Sequence, residues 1–237
     1  MQINKILNEE QLSHINSLIE KLDFIDGKIT ASGLAKKAKN NVQANPKGDA
    51  FINLSIYIGE ILLQNPWINS RFFPKKFSPP MFNKYSSGQG YGRHYDTSHI
   101  LTSKSGTMRR DFSFTLMLSM SNDYEGGELE IEAENNLVQT THLDAGDIVI
   151  YPSSHIHSIL PVTKGERVAY VGWISSYIKD TRAHEALDIY SNLQEKLTKY
   201  HLSDDDKLMV QHLKNKLILR KMKLQARLLA SSLALLF

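Results

Sequence analysis

Between about residue 80 and residue 178 the chain breaks into short runs of β-branched and aromatic side chains, separated by Gly, Asn, Asp and Pro. This punctuation constrains the fold more than any other feature. Runs of roughly four to eight such residues between turn formers suit strands and are too short for helices. The pattern predicts strands over Pro80–Tyr85, Asp111–Leu118, Glu128–Ile131, Gln139–His142, Asp147–Tyr151, His157–Val162 and Arg167–Ile178. About seven or eight strands in succession, with no long helical stretch among them, predict a sandwich or barrel of jelly-roll type.

The flanks read differently. Leu12, Ile15, Leu18, Ile19 and Leu22 recur at spacings of three and four, which places them on one face of a helix. Asp26 to Pro46 is rich in Gly, Lys, Asn and Ala, and is expected to form a strand or loop crossing the surface, its lysines solvated. Phe51 to Asn65 returns to helical spacing, and Pro66 ends that helix because it disfavours the α conformation at Asn65. After Lys179 helical periodicity resumes. The expected organisation is an N-terminal helical support region over 1–79, a β core over 80–178 and a C-terminal helical segment over 179–237. From Lys207 onward, Leu208, Met209, Leu213, Leu217, Leu224 and Leu228 alternate with basic residues, a pattern suited to docking or to self-association as a homo-oligomer.

With no cysteine, the chain can have no disulfide, thiolate metal site or cysteine nucleophile, so a metal must be held by His, Asp or Glu. The net charge of +3 is too small and too dispersed to indicate nucleic acid. The N-terminus lacks the apolar segment of a secretory signal, and the longest apolar tract, Leu228 to Phe237, is far short of the ~20 residues of a membrane span. A cytoplasmic protein without a transmembrane segment is expected.

His94 and Asp96 are two residues apart, and on extended backbone such side chains point to the same side. One ion can touch both. A later strand offers His155 and His157 as a third ligand. Two imidazoles and a carboxylate on one face of an ion leave positions open for a cosubstrate and dioxygen, as in non-haem iron(II) oxygenases.

Further stretches join this constellation. They include Phe82-Asn83-Lys84-Tyr85, Arg110-Asp111-x-Ser113, Tyr124-Glu125-Gly126-Gly127-Glu128-Leu129, Ala145-Gly146-Asp147 and Tyr151-Pro152-Ser153-Ser154-x-x-His157, then Pro161-Val162-Thr163-x-Gly165-x-Arg167-Val168-Ala169. Together with His94-x-Asp96 they resemble the PKHD-type hydroxylases, bacterial relatives of prolyl and lysyl hydroxylases, and Lys39-Asn40-Asn41 with Gln43 resembles a further family segment. The resemblance implies a double-stranded β-helix in which His94, Asp96 and His157 hold Fe(2+) and Arg167 binds 2-oxoglutarate. It also implies hydroxylation of a prolyl- or lysyl-like side chain, in a peptide, a protein or a small amino-acid derivative, with release of succinate and CO2. L-ascorbate is a further candidate cofactor.

Arg167 is suited to that role because its planar fork matches the distal carboxylate of 2-oxoglutarate. Tyr85 is a candidate second donor to the same carboxylate. Arg109, Arg110 and Asp111 are expected to form a local ion pair near the barrel mouth, with a substrate role as the alternative. His99 and Tyr91 are candidate cavity residues, whereas Trp173 is expected to pack in the core and the Gly126-Gly127 pair to mark a structural turn. Two other functions use the same residues: a non-catalytic iron-binding or sensing barrel, and an oxidative nucleic-acid demethylase. Arg167 favours a cosubstrate-using enzyme over the first, and the missing basic, aromatic groove disfavours the second.

Overall fold

A computed structural model describes residues 1–102, 106–133, 137–216 and 218. These residues divide into two compact units, one of residues 1–63 and 76–175, the other of residues 64–75 and the described residues from Ser176 onward.

The first unit is built on two antiparallel sheets. The larger carries, in order, Gln2–Lys5, Asp147–Pro152, Phe112–Met117, Val162–Ser176, Met81–Ser86, Val42–Ala44 and Phe24–Asp26. The smaller runs Val138–Thr141, Leu129–Glu132, Ile156–Ile159, Gly90–His94 and Lys39–Asn40. Alternation along each strand sends one set of side chains inward, and the two inner faces share a core. Tyr85, Met117, Val149 and Ala169 of the larger sheet cluster there with Leu129, Ile131 and Ile159 of the smaller. The jelly-roll expectation for the β core therefore describes the fold.

Several strand limits differ from expectation. Ile156–Ile159 stops short because Pro161 has no N–H to continue a ladder, and the next strand starts at Val162, five residues before the expected Arg167. The first 79 residues do more than support the core from outside, since Gln2–Lys5 pairs with Asp147–Pro152, Val42–Ala44 with Met81–Ser86, and Lys39–Asn40 with Gly90–His94. Strands of two to four residues carry too little periodicity to be read from sequence. The expected N-terminal helix is present as Glu9–Ile19, closed by reciprocal hydrogen bonds between Asn8 and Gln11, with Leu12 and Ile15 buried. Asp49–Gln64 is also helical, burying Phe51, Leu54, Ile58 and Leu62.

In the second unit Asn65 caps the helix Pro66–Phe72, its side chain accepting from the Ile68 N–H at 3.0 Å. The Arg71 guanidinium joins this helix to Thr181–Leu197 through Asp188 at 2.8 Å and Asn192 at 2.9 Å. Residues 204–216 are helical, with Leu208, Met209 and Leu213 exposed. Leu217, Leu224 and Leu228 of the expected C-terminal stripe lie outside the described residues. Among the described residues no helix is long and apolar enough to cross a membrane.

Candidate active site

His94 closes the strand Gly90–His94, and His157 lies directly opposite it on Ile156–Ile159, as a cross-strand pair. Asp96 follows two residues after His94. One ligand atom from each of the three lies within 4.8 Å of the others, and theirs is the only such His and acid group among the described residues. His155 is outside the group. Its carbonyl instead takes a hydrogen bond from His157 Nδ1 at 3.0 Å, while His94 Nδ1 is 2.8 Å from the Gly92 carbonyl. Engaging Nδ1 as the N–H in both rings leaves Nε2 with its lone pair, the tautomer a metal requires. His157 Nε2 stands 3.8 Å from Asp96 Oδ2.

The rest of the shell fixes these groups. Asp96 Oδ2 accepts from Ser113 Oγ at 2.6 Å and from Trp173 Nε1 at 2.8 Å. Trp173 is buried, as the core-packing expectation has it, and its indole N–H in addition orients the carboxylate. Tyr91 stacks on the His94 ring at 3.6 Å between centroids and 16° between planes. Burial and the neighbouring His157 push the His94 imidazole down to about 4, so it is neutral and ready to ligate near pH 7. Two imidazoles with Nε2 free and a hydrogen-bonded carboxylate form a donor set that fits iron(II).

On the other sheet Arg167 and Tyr85 form a second cross-strand pair, with the guanidinium carbon 5.5 Å from the ring centre. Arg167 is 1% exposed, and neither Nε nor Nη2 has a hydrogen-bond partner among the described residues. Buried N–H donors are rarely left unmet, so an orphaned guanidinium on a cavity wall calls for an anion. Burial pushes the guanidinium pKa down, opposed by the surrounding Tyr85, Tyr124 and Tyr151. Burial likewise pushes the Tyr85 hydroxyl up to about 12, keeping it a neutral donor. The Tyr124–Glu128 turn, expected to be structural only, lies against this site. Gly127 has φ +68°, and a Cβ there would sit 2.9 Å from Arg167 Cδ.

One cavity of about 250 Å³ is lined by His94, Asp96 and His157 and also by Arg167 and Tyr85. That is near the lower end of ligand pockets, roughly 300–1,000 Å³, and suits a small diacid beside a metal. Arg109 pairs with Asp111 at 2.7 Å, as the local ion pair predicts, but Arg110 does not join it. The Arg110 guanidinium stacks 3.7 Å over the Trp173 ring and lines the cavity. Of the two histidine and tyrosine candidates, Tyr91 lines the cavity and His99 is not among its lining residues. Lys39 overturns the solvated-lysine expectation: it is 3% exposed and its ammonium reaches Thr30 Oγ1 at 3.0 Å and Gln43 Oε1 at 3.3 Å. A basic residue four before a glutamine carries no periodic signal, so its burial was not readable from sequence.

Comparison with known proteins bears on this geometry. The model of the 2OG-Fe(II) oxygenase superfamily matches residues 80–175. A PKHD-type hydroxylase of Alteromonas mediterranea is 37% identical over 186 residues, covering 78% of this chain and 82% of the relative. One of Prochlorococcus marinus strain AS9601 is 39% identical over 202 residues, covering 84% of this chain and 89% of the relative. The chain belongs to the PKHD-type hydroxylases.

As a member of that family it is a 2-oxoglutarate-dependent dioxygenase that uses Fe(2+), and the non-catalytic barrel weighed from sequence is set aside. The fold has a counterpart in the solved prolyl hydroxylase of Trichoplax adhaerens, in complex with a hypoxia inducible factor peptide fragment. That similarity has a TM-score of 0.51 at 18% identity and covers 73% of this chain and 83% of the other. It places the PKHD-type chain in the double-stranded β-helix fold.

Proposed function

We propose that His94, Asp96 and His157 hold the iron, that Arg167 and Tyr85 hold the distal carboxylate of 2-oxoglutarate, and that the enzyme hydroxylates a prolyl- or lysyl-like side chain. Its substrate is a peptide, a protein or a small amino-acid derivative, and its by-products are succinate and CO2. In this reading the 80–178 segment is the catalytic core, and the helices after Lys179 are the candidate surface for self-association.

The observation that carries the reading is the Arg167 guanidinium, 1% exposed and with Nε and Nη2 unpartnered among the described residues, on the wall of the cavity that His94, Asp96 and His157 also line. Bound iron(II) and 2-oxoglutarate, with dioxygen, supply the oxidising chemistry that an unactivated C–H bond requires. The chain's own groups do the rest. Nδ1 hydrogen bonds to the Gly92 and His155 carbonyls aim the two Nε2 atoms, and Ser113 and Trp173 hold the Asp96 carboxylate in place. Arg167 fixes a diacid by its far end, so that its near end lies toward the ligand trio. Tyr85 stays protonated and donates. Apolar walls from Leu129, Ile159 and Val171 keep water from the reacting centre.

The test incubates iron-loaded protein with 2-oxoglutarate and peptides containing Pro or Lys, following succinate and a mass gain of one oxygen. Succinate formation coupled to peptide oxidation is the expected result. Succinate without oxidation of any Pro or Lys probe would remove the side-chain assignment, and no succinate at all would remove the whole reading.

A further inference from the structure

Two cations on the cavity wall are not accounted for by the cosubstrate. Lys39 pairs in register with Tyr91, and its ammonium lies 5.5 Å from the centre of the Tyr91 ring that stacks on His94. Arg110 stacks on the Trp173 ring whose N–H holds Asp96. Each side of the candidate metal centre therefore carries a ligand residue, an aromatic ring against it and a cation on that ring.

Neither cation has a carboxylate within ion-pair distance among the described residues. The Lys39 ammonium hydrogen-bonds to two neutral oxygens, on Thr30 and Gln43, and so has a third donor to offer. Arg110 donates from Nη1 to Thr97 Oγ1 at 2.9 Å, and its Nε is buried without a partner. Burial brings the lysine pKa down to about 8, against the pull of Asp26 and Asp96, so the ammonium remains largely charged at neutral pH.

The charge on the cavity wall points the same way. Lys39, Arg110 and Arg167 are cationic, Asp96 is the one acid, and both histidines line the wall. Iron(II) adds two positive charges and 2-oxoglutarate two negative ones. A loaded site thus keeps an excess of positive charge at Lys39 and Arg110, in a cavity where solvent screening is weak. Lys39 is buried and Arg110 partly so, and cations withdrawn from water are stabilised when an anion meets them.

We infer that the primary substrate carries a carboxylate beside the carbon to be oxidised, and that Lys39 and Arg110 receive that carboxylate. The inference rests on the proposed site assignment and narrows the substrate to acids. The carboxylate comes either from a free amino acid or from an acidic residue or C-terminus of a peptide. The planar Arg110 fork sets its plane, and Lys39 acts as a point charge opposite.

The experiment uses the full chain loaded with nickel, which occupies such sites without turnover. Titration of 2-oxoglutarate by calorimetry comes first. Failure to bind would overturn the proposed site assignment itself. With 2-oxoglutarate saturating, matched probes are titrated: L-proline against L-prolinamide, L-lysine against L-lysinamide, and the amidated peptides Gly-Pro-Glu-Gly and Gly-Pro-Gln-Gly. In at least one pair the acid should bind about tenfold or more tightly than its amide, the effect of one charge-assisted contact. A gap in the free amino acids identifies the small-molecule source, and a gap confined to the peptides identifies the peptide source. Lys39→Met and Arg110→Gln should each shrink the gap and leave 2-oxoglutarate binding within about twofold, one small fraction of a charged contact. Equal or absent binding across every pair overturns the inference, as does a gap that survives both substitutions. A Lys39→Met protein that weakens 2-oxoglutarate and not the acid probe would assign the lysine to the cosubstrate and overturn it too.

Discussion

Replacing Arg167 by Leu should change the free and loaded protein in opposite directions. The guanidinium is 1% exposed with two N–H donors unmatched among the described residues, so the ligand-free fold carries a desolvated cation with nothing opposite it. Removing unsatisfied buried donors recovers about 1–3 kcal/mol. For a chain of this length that raises Tm by roughly 2–4 °C per kcal/mol. On the proposed binding mode the loaded state loses far more, because the distal carboxylate of 2-oxoglutarate would then be buried without a partner. Truncating one member of a buried charged pair costs about 3–5 kcal/mol, equivalent to roughly a hundredfold to several-thousandfold in Kd. A hundredfold excess of 2-oxoglutarate over Kd stabilises the wild type by about 2.7 kcal/mol, hence roughly 5–10 °C. Scanning calorimetry of the nickel-loaded proteins reads both effects: Arg167→Leu should melt higher in buffer and show almost no shift with 2-oxoglutarate. A variant that melts lower alone and keeps the full ligand shift would refute the argument, and Arg167→Lys should recover only part of the shift.

Three further outcomes follow from the same geometry. His157→Ala should lose metal binding by competition titration while His155→Ala, which keeps the carbonyl that orients His157, should retain it; the reverse pattern would move the third ligand. Gly127→Ala should lower stability by about 1–3 kcal/mol through its positive φ and weaken 2-oxoglutarate by crowding Arg167 Cδ, seen in urea unfolding and ligand titration, whereas an unchanged protein would show that the turn adapts. In the metal-free protein the folded His94 pKa, about 4, lies below the ordinary value of 6.5, so falling pH protonates the unfolded chain first. Its contribution is complete above about pH 6.5 and is lost as pH falls toward 4; urea unfolding across that range should show a slope that His94→Asn reduces, and an identical slope in the variant would count against it.

The jelly-roll core was legible because short apolar runs bounded by turn formers, such as Phe112–Met117 and Asp147–Pro152, suit strands buried on both faces and are too short for helices. Strands of two to four residues, such as Lys39–Asn40 and Val42–Ala44, were not, since their pairing comes from neighbours distant in sequence. The same limit explains Trp173. A tryptophan in an apolar strand reads as core, and only its reach across 77 residues to Asp96 reveals a positioning role.

The sequence by itself determined the elements of local chemistry: a cysteine-free ligand set, the His94-x-Asp96 spacing that puts two donors on one side of the backbone, and the family motifs that pick out Arg167 and Tyr85. Only the tertiary structure decided which distant residues complete them. Antiparallel register sets His157 against His94 and Arg167 against Tyr85, and the closing of two sheets over one core turns both pairs toward a common cavity. Burial made the same selection among the cations, leaving most lysines in water and enclosing Lys39. The physical reason is that spacing along a chain fixes direction, while desolvation and partnership depend on which strands the fold brings alongside one another.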